Sequence, residues 1–451
     1  MGATAVLDVG KTNVKLALFA PDGALLWERA TPNRPLLRPP YPHADVEAIW
    51  SFLIGALRDA NGAHAIEAII PTTHGSAGAF VTDEGLALPV LDYEFDGVEA
   101  VEPRYRHLRP PYAQTLSPSQ PGGLNLGRQI AWQMQEFPQA CAGARAYLTY
   151  PQYWSWRLCG VAAAEVTMLG AHSDLWAPRE GDYSSLVADI DLARRLPPLR
   201  KAGAALGPIK PEFAAATGLA PGALALNGVH DSNASLLPHL AAHRAPFTVV
   251  STGTWVILMA PGLGLEGLRE RDDMLANVDV EGRPIPCARF MGGREYQQIC
   301  QGANNSATAA DVADLLSAGA MALPCFAPQG GPFAARQGEI IGAVAPDQRP
   351  ALATLYLALM TDLSLTRLGA VQGDLIVEGS FAANECFCSL LGALRPRQRV
   401  LMGADAAGAA RGAALLRQWP HPSAPPPRLR HAAPASAPLL GAYAENWRAR
   451  L

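Results

Sequence analysis

The stretch that decides the fold lies at the start of the chain and reads Ala5-Val6-Leu7-Asp8-Val9-Gly10-Lys11-Thr12-Asn13-Val14-Lys15-Leu16-Ala17-Leu18-Phe19. An apolar run meets a polar turn that contains Gly10. An alternating run follows, with Val14, Leu16 and Leu18 on one face. Alternation with a period of two is typical of a half-buried strand, so this stretch predicts a β-hairpin.

A second stretch of the same make-up follows about half a chain later and reads Phe247-Thr248-Val249-Val250-Ser251-Thr252-Gly253-Thr254-Trp255-Val256-Ile257-Leu258. Each stretch opens a region in which helical and strand patterns alternate. The two matching regions predict an internal duplication. We therefore expect two α/β domains, residues 1–240 and 241–451.

Both predicted turns have a composition that could bind phosphate. Successive backbone N–H groups in a glycine turn attract anions, and Ser or Thr hydroxyls add donors. Each turn alone is more simply an ordinary hairpin turn, but their matching positions favour a function. The candidates are Gly10, Lys11, Thr12 and Asn13 in the first turn, and Ser251, Thr252, Gly253 and Thr254 in the second. A Walker P-loop is excluded, because its first glycine would stand where Ala5 does and a helix should follow Thr12.

Two aspartates stand where a carboxylate could act chemically. Asp8 ends a strand that looks buried, where it is either a turn cap or a ligand of Mg²⁺ beside phosphates. Asp231 follows Gly228-Val229-His230 and stands where a helix should start. It is either a helix cap or a general base, and taken alone the residue does not decide between them.

Two further segments are weaker candidates. The turn Gly379-Ser380-Phe381-Ala382-Ala383-Asn384 lies between a predicted strand and helix, where a flat base could lie against the glycine. His74-Gly75 ends an apolar run, and a lone histidine is more often structural than functional.

Composition excludes several classes of protein. The chain has 451 residues, of which 49% are hydrophobic, and its net charge is −4, so we expect neither a nucleic-acid partner nor a membrane partner. Seven cysteines without a Cys-x-x-Cys pair argue against a zinc site or a disulfide framework and favour the cytoplasm. We expect no signal peptide.

Taken in order, these segments resemble the FGGY family of carbohydrate kinases. The resemblance extends over nearly the whole chain and is specific as a set. The segments that carry it are Asp8 to Asn13, Tyr150-Pro151-Gln152-Tyr153 through Glu165-Val166-Thr167 and Gly170, Gly228 to Asp231, Ser251 to Trp255, Gly379 to Asn384, and Gly408-Ala409-Ala410. Three features depart from the usual pattern: Lys11, which looks closer to the rhamnulokinase-like branch, Ser380, and the segment Met291-Gly292-Gly293-Arg294-Glu295, to which no role is assigned.

The resemblance implies two ribonuclease-H-like domains of the actin/hexokinase superfamily, with a cleft between them. It implies that Asp231 is the catalytic base and that Asp8 and Asp231 hold Mg²⁺. The implied sugar-binding residues are His74, Gly75, Gln152 and Asn233. The implied ATP-binding residues are Gly10, Lys11, Thr12, Asn13, Ser251, Thr252, Gly253, Thr254, Gly379, Ser380 and Asn384.

The expected activity is ATP-dependent phosphorylation of a primary hydroxyl of a ketose. L-Rhamnulose or L-fuculose is favoured, and xylulose or ribulose is close behind. A non-catalytic ATP or sugar sensor on the same fold is the rival, although a sensor would need no base such as Asp231. The expected partner is a small-molecule sugar, and the oligomeric state stays open, with a homodimer as one candidate.

Overall fold

The computed structural model describes residues 2–327, 330–403 and 408–451. The chain divides into two compact units. Unit 1 comprises Met1–Ala242, Ala276–Pro284 and Ala407–Pro426, and unit 2 comprises His243–Leu275, Ile285–Ala406 and Pro427–Leu451. A single boundary near residue 240 therefore does not describe the whole division, because two later segments belong with the first unit.

The first 242 residues form an α/β unit. Its strands are β1 (Ala3–Val9), β2 (Asn13–Phe19), β3 (Leu25–Pro32), β4 (Ile66–Thr73), β5 (Gly78–Val81), β6 (Ala146–Thr149), β7 (Trp176–Ala177), β8 (Asp182–Tyr183), β9 (Ala205–Pro208), β10 (Leu224–Leu226) and β11 (Val229–His230). Its helices are α1 (Val46–Asn61), α2 (Glu102–Leu108), α3 (Tyr112–Thr115), α4 (Leu126–Glu136), α5 (Pro138–Gly143), α6 (Tyr150–Cys159), α7 (Val166–Leu169), α8 (Ser185–Asp189), α9 (Pro211–Thr217) and α10 (Asp231–Ala242).

The main sheet of unit 1 has the order β3-β2-β1-β4-β10-β9, and β11 also pairs with β4. Strands β1, β2 and β3 are antiparallel, whereas β4 runs parallel to β1. The continuous apolar run of β1 explains why both of its faces are buried: Leu7 and Val9 join one core, and Val6 joins the core that also contains Ala410 and Ala413. The predicted hairpin is confirmed.

The chain after residue 243 adds the remaining elements. The strands are β12 (Thr248–Thr252), β13 (Val256–Met259), β14 (Leu275–Val278), β15 (Pro284–Phe290), β16 (Met321–Leu323), β17 (Glu339–Ile341), β18 (Leu375–Gly379), β19 (Val400–Gly403) and β20 (Leu429–His431). The helices are α11 (Gly292–Cys300), α12 (Ala309–Ala318), α13 (Arg349–Leu368), α14 (Glu385–Leu394), α15 (Gly408–Leu415) and α16 (Leu440–Ala449). Of these, α15 and residues 276–278 of β14 belong to unit 1.

The sheet of unit 2 repeats the plan of unit 1. Its strands follow the order β15-β13-β12-β18-β19-β20, with β12 antiparallel to β13 and parallel to β18. An antiparallel hairpin followed by a parallel neighbour is thus common to both units, as the two matching sequence stretches predict.

Helix α13 is the core helix of unit 2. The segment Pro346–Leu368 is long and apolar enough to cross a membrane by length and composition, but 89% of its most apolar window is buried within the protein. No other helix among the described residues passes this test. Helix α16 closes the unit: Tyr443 Oη donates to Ala320 O at 2.6 Å, and Trp447 Nε1 donates to Ala322 O at 2.7 Å.

Candidate functional site

The turn between β1 and β2 is held in one shape by backbone bonds. Gly10 N donates to Asn13 O at 3.0 Å. Asn33 braces the turn twice, because its backbone N donates to Thr12 O at 2.8 Å and its Nδ2 donates to Gly10 O at 2.7 Å. Thr12 and Asn13 are exposed, and Asn13 Nδ2 donates to Thr12 Oγ1 at 3.1 Å.

Lys11 differs from the other residues of this turn. Its Nζ is hydrogen-bonded to Asp92 Oδ1, lies 3.1 Å from Glu94 Oε2 and is 4.6 Å from the centroid of the Tyr93 ring. The three consecutive residues 92–94 therefore hold the ammonium group. The family resemblance implies that Lys11 binds ATP, but in the structure its charge is already balanced by carboxylates.

The negative charge of Asp231 acts on Asp8 within unit 1. Asp8 is partly buried at the end of β1, and its register places it opposite Lys15 and Thr72. Burial, and then the negative charge of Asp231, raise the pKa of Asp8 to about 7. Asp231 is the first residue of α10 and is 31% exposed.

This pair fits a hydrated divalent cation. Two neighbouring carboxylates repel each other, and a cation would relieve that repulsion. Among the described residues there is no group of three or more His, Cys, Asp and Glu side chains that could hold a metal. Mg²⁺ suits such a sparse site, because it usually keeps several waters and takes only one or two carboxylates.

The His230 ring lies beside Asp231 and is hydrogen-bonded to Asn233. His230 Nε2 lies 3.4 Å from Asp231 Oδ1, and His230 Nδ1 is 2.8 Å from Asn233 Oδ1. The Asn233 amide nitrogen donates to Val278 O, so its Oδ1 accepts and His230 Nδ1 carries a proton. A Cβ at Gly75 would lie 2.9 Å from His230 Nε2, so a glycine lets the chain approach the ring closely. Gly75 and Asn233, predicted to bind sugar, thus both contact His230.

A pocket in unit 1 contains His74. The lining residues are Lys11, Asn33, Pro35, Ala44, His74, Ala77, Val90, Leu91, Asp92, Tyr93 and Tyr150. The His74 ring packs against Tyr93 and Tyr150, with ring centroids 5.3 and 5.4 Å away. Burial lowers the pKa of His74 below its ordinary value, which favours the neutral ring.

Gln152 does not line that pocket. It is 1% exposed, and its amide nitrogen donates to Asn227 Oδ1 at 3.2 Å and to Gly228 O at 3.0 Å. Its side-chain oxygen accepts from Thr149. The residue therefore connects α6 to the segment that precedes Asp231, which differs from the direct sugar contact implied by the resemblance.

Glu165 is a buried carboxylate whose role is not evident from the sequence. It caps α7, accepting from the backbone N of Thr167 at 3.0 Å and from its hydroxyl at 2.5 Å. The same Thr167 Oγ1 accepts from His230 N at 3.1 Å. Burial raises the pKa of Glu165 to about 7 despite these bonds. The sequence carries no clear signal of this cap, because the residues preferred at helix N-caps are Ser, Thr, Asp, Asn and Gly, not Glu.

In unit 2, the β12–β13 turn and the turn after β18 contact each other. Gly253 N donates to Trp255 O at 2.9 Å. Thr252 Oγ1 donates to Glu378 O at 2.5 Å and accepts from Phe381 N at 2.9 Å. Gly379 has φ +81°, and a Cβ there would lie 1.9 Å from Thr252 O, so this position requires glycine.

The other predicted residues of these two turns differ in what they do. A Cβ built at Gly253 would have nothing within 4 Å, so there is open space on the side of this residue where a side chain would stand. Ser380 Oγ is 3.5 Å from Thr252 O. Asn384 caps α14 by accepting from Phe387 N at 3.0 Å, so its oxygen is already engaged. Ser251 is partly buried in β12, and Thr254 is exposed.

The segment Met291–Glu295, which had no assigned role, packs against the β12–β13 turn. Gly293 N donates to Thr254 O at 3.2 Å. A Cβ at Gly293 would lie only 2.0 Å from Gly253 O. The first turn of α11 therefore packs directly against the second candidate phosphate loop.

Comparison with known proteins agrees with this arrangement. Residues 111–238 match the model of the FGGY family of carbohydrate kinases, N-terminal domain, and residues 244–426 match carbohydrate kinase FGGY, C-terminal domain. An L-fuculokinase of Salmonella typhi is 29% identical over 264 residues, which are 56% of this chain. The chain spans about half the length of this curated relative, 55%.

Solved structures resemble the whole chain. A carbohydrate kinase from Novosphingobium aromaticivorans has 37% identity and a TM-score of 0.92, covering 100% of this chain and 98% of that one. A xylulose kinase from Lactobacillus acidophilus has 13% identity and a TM-score of 0.79, covering 99% and 96%. A glycerol kinase from Plasmodium falciparum, solved with ADP, has 12% identity and a TM-score of 0.80, covering 99% and 97%. The latter two show the fold alone, and they confirm the predicted two-domain fold class. The chain belongs to the FGGY family of carbohydrate kinases.

Proposed function

We propose that this protein transfers the γ-phosphoryl group of ATP to a primary hydroxyl of a ketose. The observation that carries the proposal is Asp231 at the start of α10, partly exposed and electrostatically coupled to Asp8. A carboxylate in that state can accept a proton from an alcohol.

The proposed mechanism relies on positioning and electrostatics. Asp231 Oδ accepts the proton of the sugar hydroxyl as its oxygen attacks the phosphorus. Backbone N–H groups of the turn residues that follow Gly10 and Gly253 bind phosphate oxygens, since the N–H groups of the two glycines donate within their own turns. The adenine lies against Gly379. Mg²⁺ would be held by Asp8 and Asp231 through water, and it supplies positive charge to the phosphate oxygens when bound.

We propose that the sugar binds in the pocket that contains His74, called the sugar pocket from here on. Its lining favours a 6-deoxy-ketose of the L-fuculose or L-rhamnulose type as substrate. Polar groups of His74 and Asp92 share the pocket with the apolar side chains of Ala44, Val90 and Leu91. A sugar with hydroxyls on one side and a methyl group at one end matches that division. The Salmonella typhi relative is named a fuculokinase, which supports the same choice.

We also propose that the protein acts in the cytoplasm. All seven cysteines are free in the structure, which suits a reducing compartment.

The test is a coupled ADP-release assay with ATP and Mg²⁺. The acceptors are L-rhamnulose, L-fuculose, D-xylulose, D- and L-ribulose, D-fructose and glycerol. We expect a 6-deoxy-ketose to stimulate ADP release far above the rate with water. A preference for xylulose or ribulose would overturn the substrate choice, and no stimulation by any sugar would favour a sensor.

The variant Asp231→Asn tests the base. We expect kcat to fall roughly 10²- to 10⁴-fold, because the amide cannot accept the proton, while nucleotide binding persists. The matched control is Asp189→Asn, which alters an exposed aspartate at the end of α8. Near-normal turnover by a folded Asp231→Asn enzyme would contradict the assignment.

A further inference from the structure

We infer that Lys11 and Asp92 form the polar wall of the sugar pocket and select its substrate through adjacent hydroxyl groups, and that Lys11 does not bind nucleotide phosphate. This inference rests on the proposed sugar-kinase function. It differs from the expectation that all of residues 10–13 bind ATP.

The geometry directs Lys11 towards the pocket. Its ammonium group is bonded to Asp92, is 3.1 Å from Glu94 Oε2 and lies over the ring of Tyr93. Lys11, Asp92 and Tyr93 all line the pocket that contains His74. The side chain thus leaves the β1–β2 turn and reaches the residues that would surround the sugar.

The partners of Lys11 are held firmly in place. Asp92 N donates to Pro42 O at 3.0 Å, and Asp92 Oδ1 also accepts from Glu94 N at 3.1 Å. Tyr93 O accepts from Gly123 N at 3.0 Å. Fixed groups suit a recognition site, because side chains that are already held in place lose little conformational entropy when a ligand binds.

The charges around Lys11 disfavour phosphate and suit a neutral polyol. Asp92 and Glu94 together carry one more negative charge than Lys11 balances, so a phosphate placed there would meet net repulsion. A sugar hydroxyl can donate to the Asp92 carboxylate and accept from the Lys11 ammonium group at the same time. Because the side chains of Asp92 and Lys11 are only 8% and 24% exposed, these bonds would form with little competition from water.

The test separates sugar recognition from nucleotide recognition. Lys11→Gln and Asp92→Asn are compared with the wild type for the KM of the preferred ketose and for the Kd of MgATP by calorimetry. We expect the sugar KM to rise about 10- to 100-fold in each variant, as for loss of a hydrogen bond to a charged group, and the MgATP Kd to stay within about twofold. The matched control is Lys201→Gln, which removes the lysine of another ion pair in unit 1, 2.9 Å from Glu281.

Each outcome decides the inference. A MgATP Kd that rises as much as the sugar KM, or a sugar KM that does not change, overturns it. If the wild type phosphorylates no sugar, the proposed function fails, and the MgATP titration of Lys11→Gln still shows whether Lys11 binds nucleotide. If Lys11→Gln does not fold, Lys11→Arg takes its place. Because Lys11→Arg keeps the positive charge, it should retain part of the sugar affinity.

Discussion

The substitution Gly293→Ala tests whether α11 positions the second phosphate loop. The added Cβ would lie 2.0 Å from Gly253 O, whereas real Cβ contacts essentially never fall below 3.0 Å. The two atoms must therefore separate by at least about 1 Å. Since the obstacle is a backbone carbonyl, no side chain can rotate away to make room, and the loop itself must move.

The magnitude follows from that displacement. Overpacking of this kind costs about 1–3 kcal/mol of folding free energy. A misplacement of about 1 Å in a positioning element can cost roughly 10²-fold, which corresponds to about 2.7 kcal/mol. We therefore expect kcat/KM for ATP to fall about 100-fold, while the KM for sugar stays close to that of the wild type.

The assay combines initial rates with chemical unfolding. Gly441→Ala is the matched control, because Gly441 is also the second residue of a helix of unit 2 and a Cβ there has nothing within 4 Å. It should leave the kinetics unchanged and add up to about 1 kcal/mol of stability. Wild-type kcat/KM for ATP in a folded Gly293→Ala protein would refute the reasoning.

Two further predictions concern buried charges. The pKa of Glu165 in the folded protein is about 7, above its ordinary value of 4.5, so the folded state binds this proton more tightly than the unfolded chain does. From pH 4.5 to 7 the free energy of unfolding of the wild type should therefore fall by about 3 kcal/mol relative to that of Glu165→Gln. Urea unfolding at several pH values measures this difference, and a difference that stays constant with pH would contradict the prediction. Asp362 lies 3.4 Å from Arg395 and 2.7 Å from Arg448. Asp362→Asn should cost about 3–5 kcal/mol by leaving Arg395 buried without a carboxylate, whereas Arg448→Gln should cost about 1 kcal/mol or less. Equal losses in the two thermal or urea unfolding curves would argue against this account.

The sequence predicted the features that depend on neighbouring residues. Alternation in residues 14–18 indicated β2, and the polar turn around Gly10 indicated the hairpin. Asp8 was predicted at the end of a strand, and the structure places it there, within electrostatic range of Asp231. These features follow from strand periodicity and turn chemistry, which act over a few residues.

Features that depend on distant residues could not be predicted in this way. The partner of Lys11 is 81 positions away at Asp92, and no local pattern marks that pairing. The contact of Gly293 with Gly253 is likewise set by tertiary packing. Gln152 is a third example. Its hydrogen bonds with Thr149 and Gly228 depend on how α6 packs against the chain before β11, which the local sequence does not indicate.

The two late segments of unit 1 have a consequence for biosynthesis. Arg417 Nη1 donates to Gly2 O at 3.0 Å, and Trp419 Nε1 donates to Glu281 Oε1 at 2.7 Å. Helix α15 packs so closely on α10 that a Cβ at Gly412 would lie 1.7 Å from Ala234 O. A ribosome must therefore synthesise nearly the whole chain before the first unit can be completed. At about 5–20 residues per second, its earliest strands wait tens of seconds for their last partners.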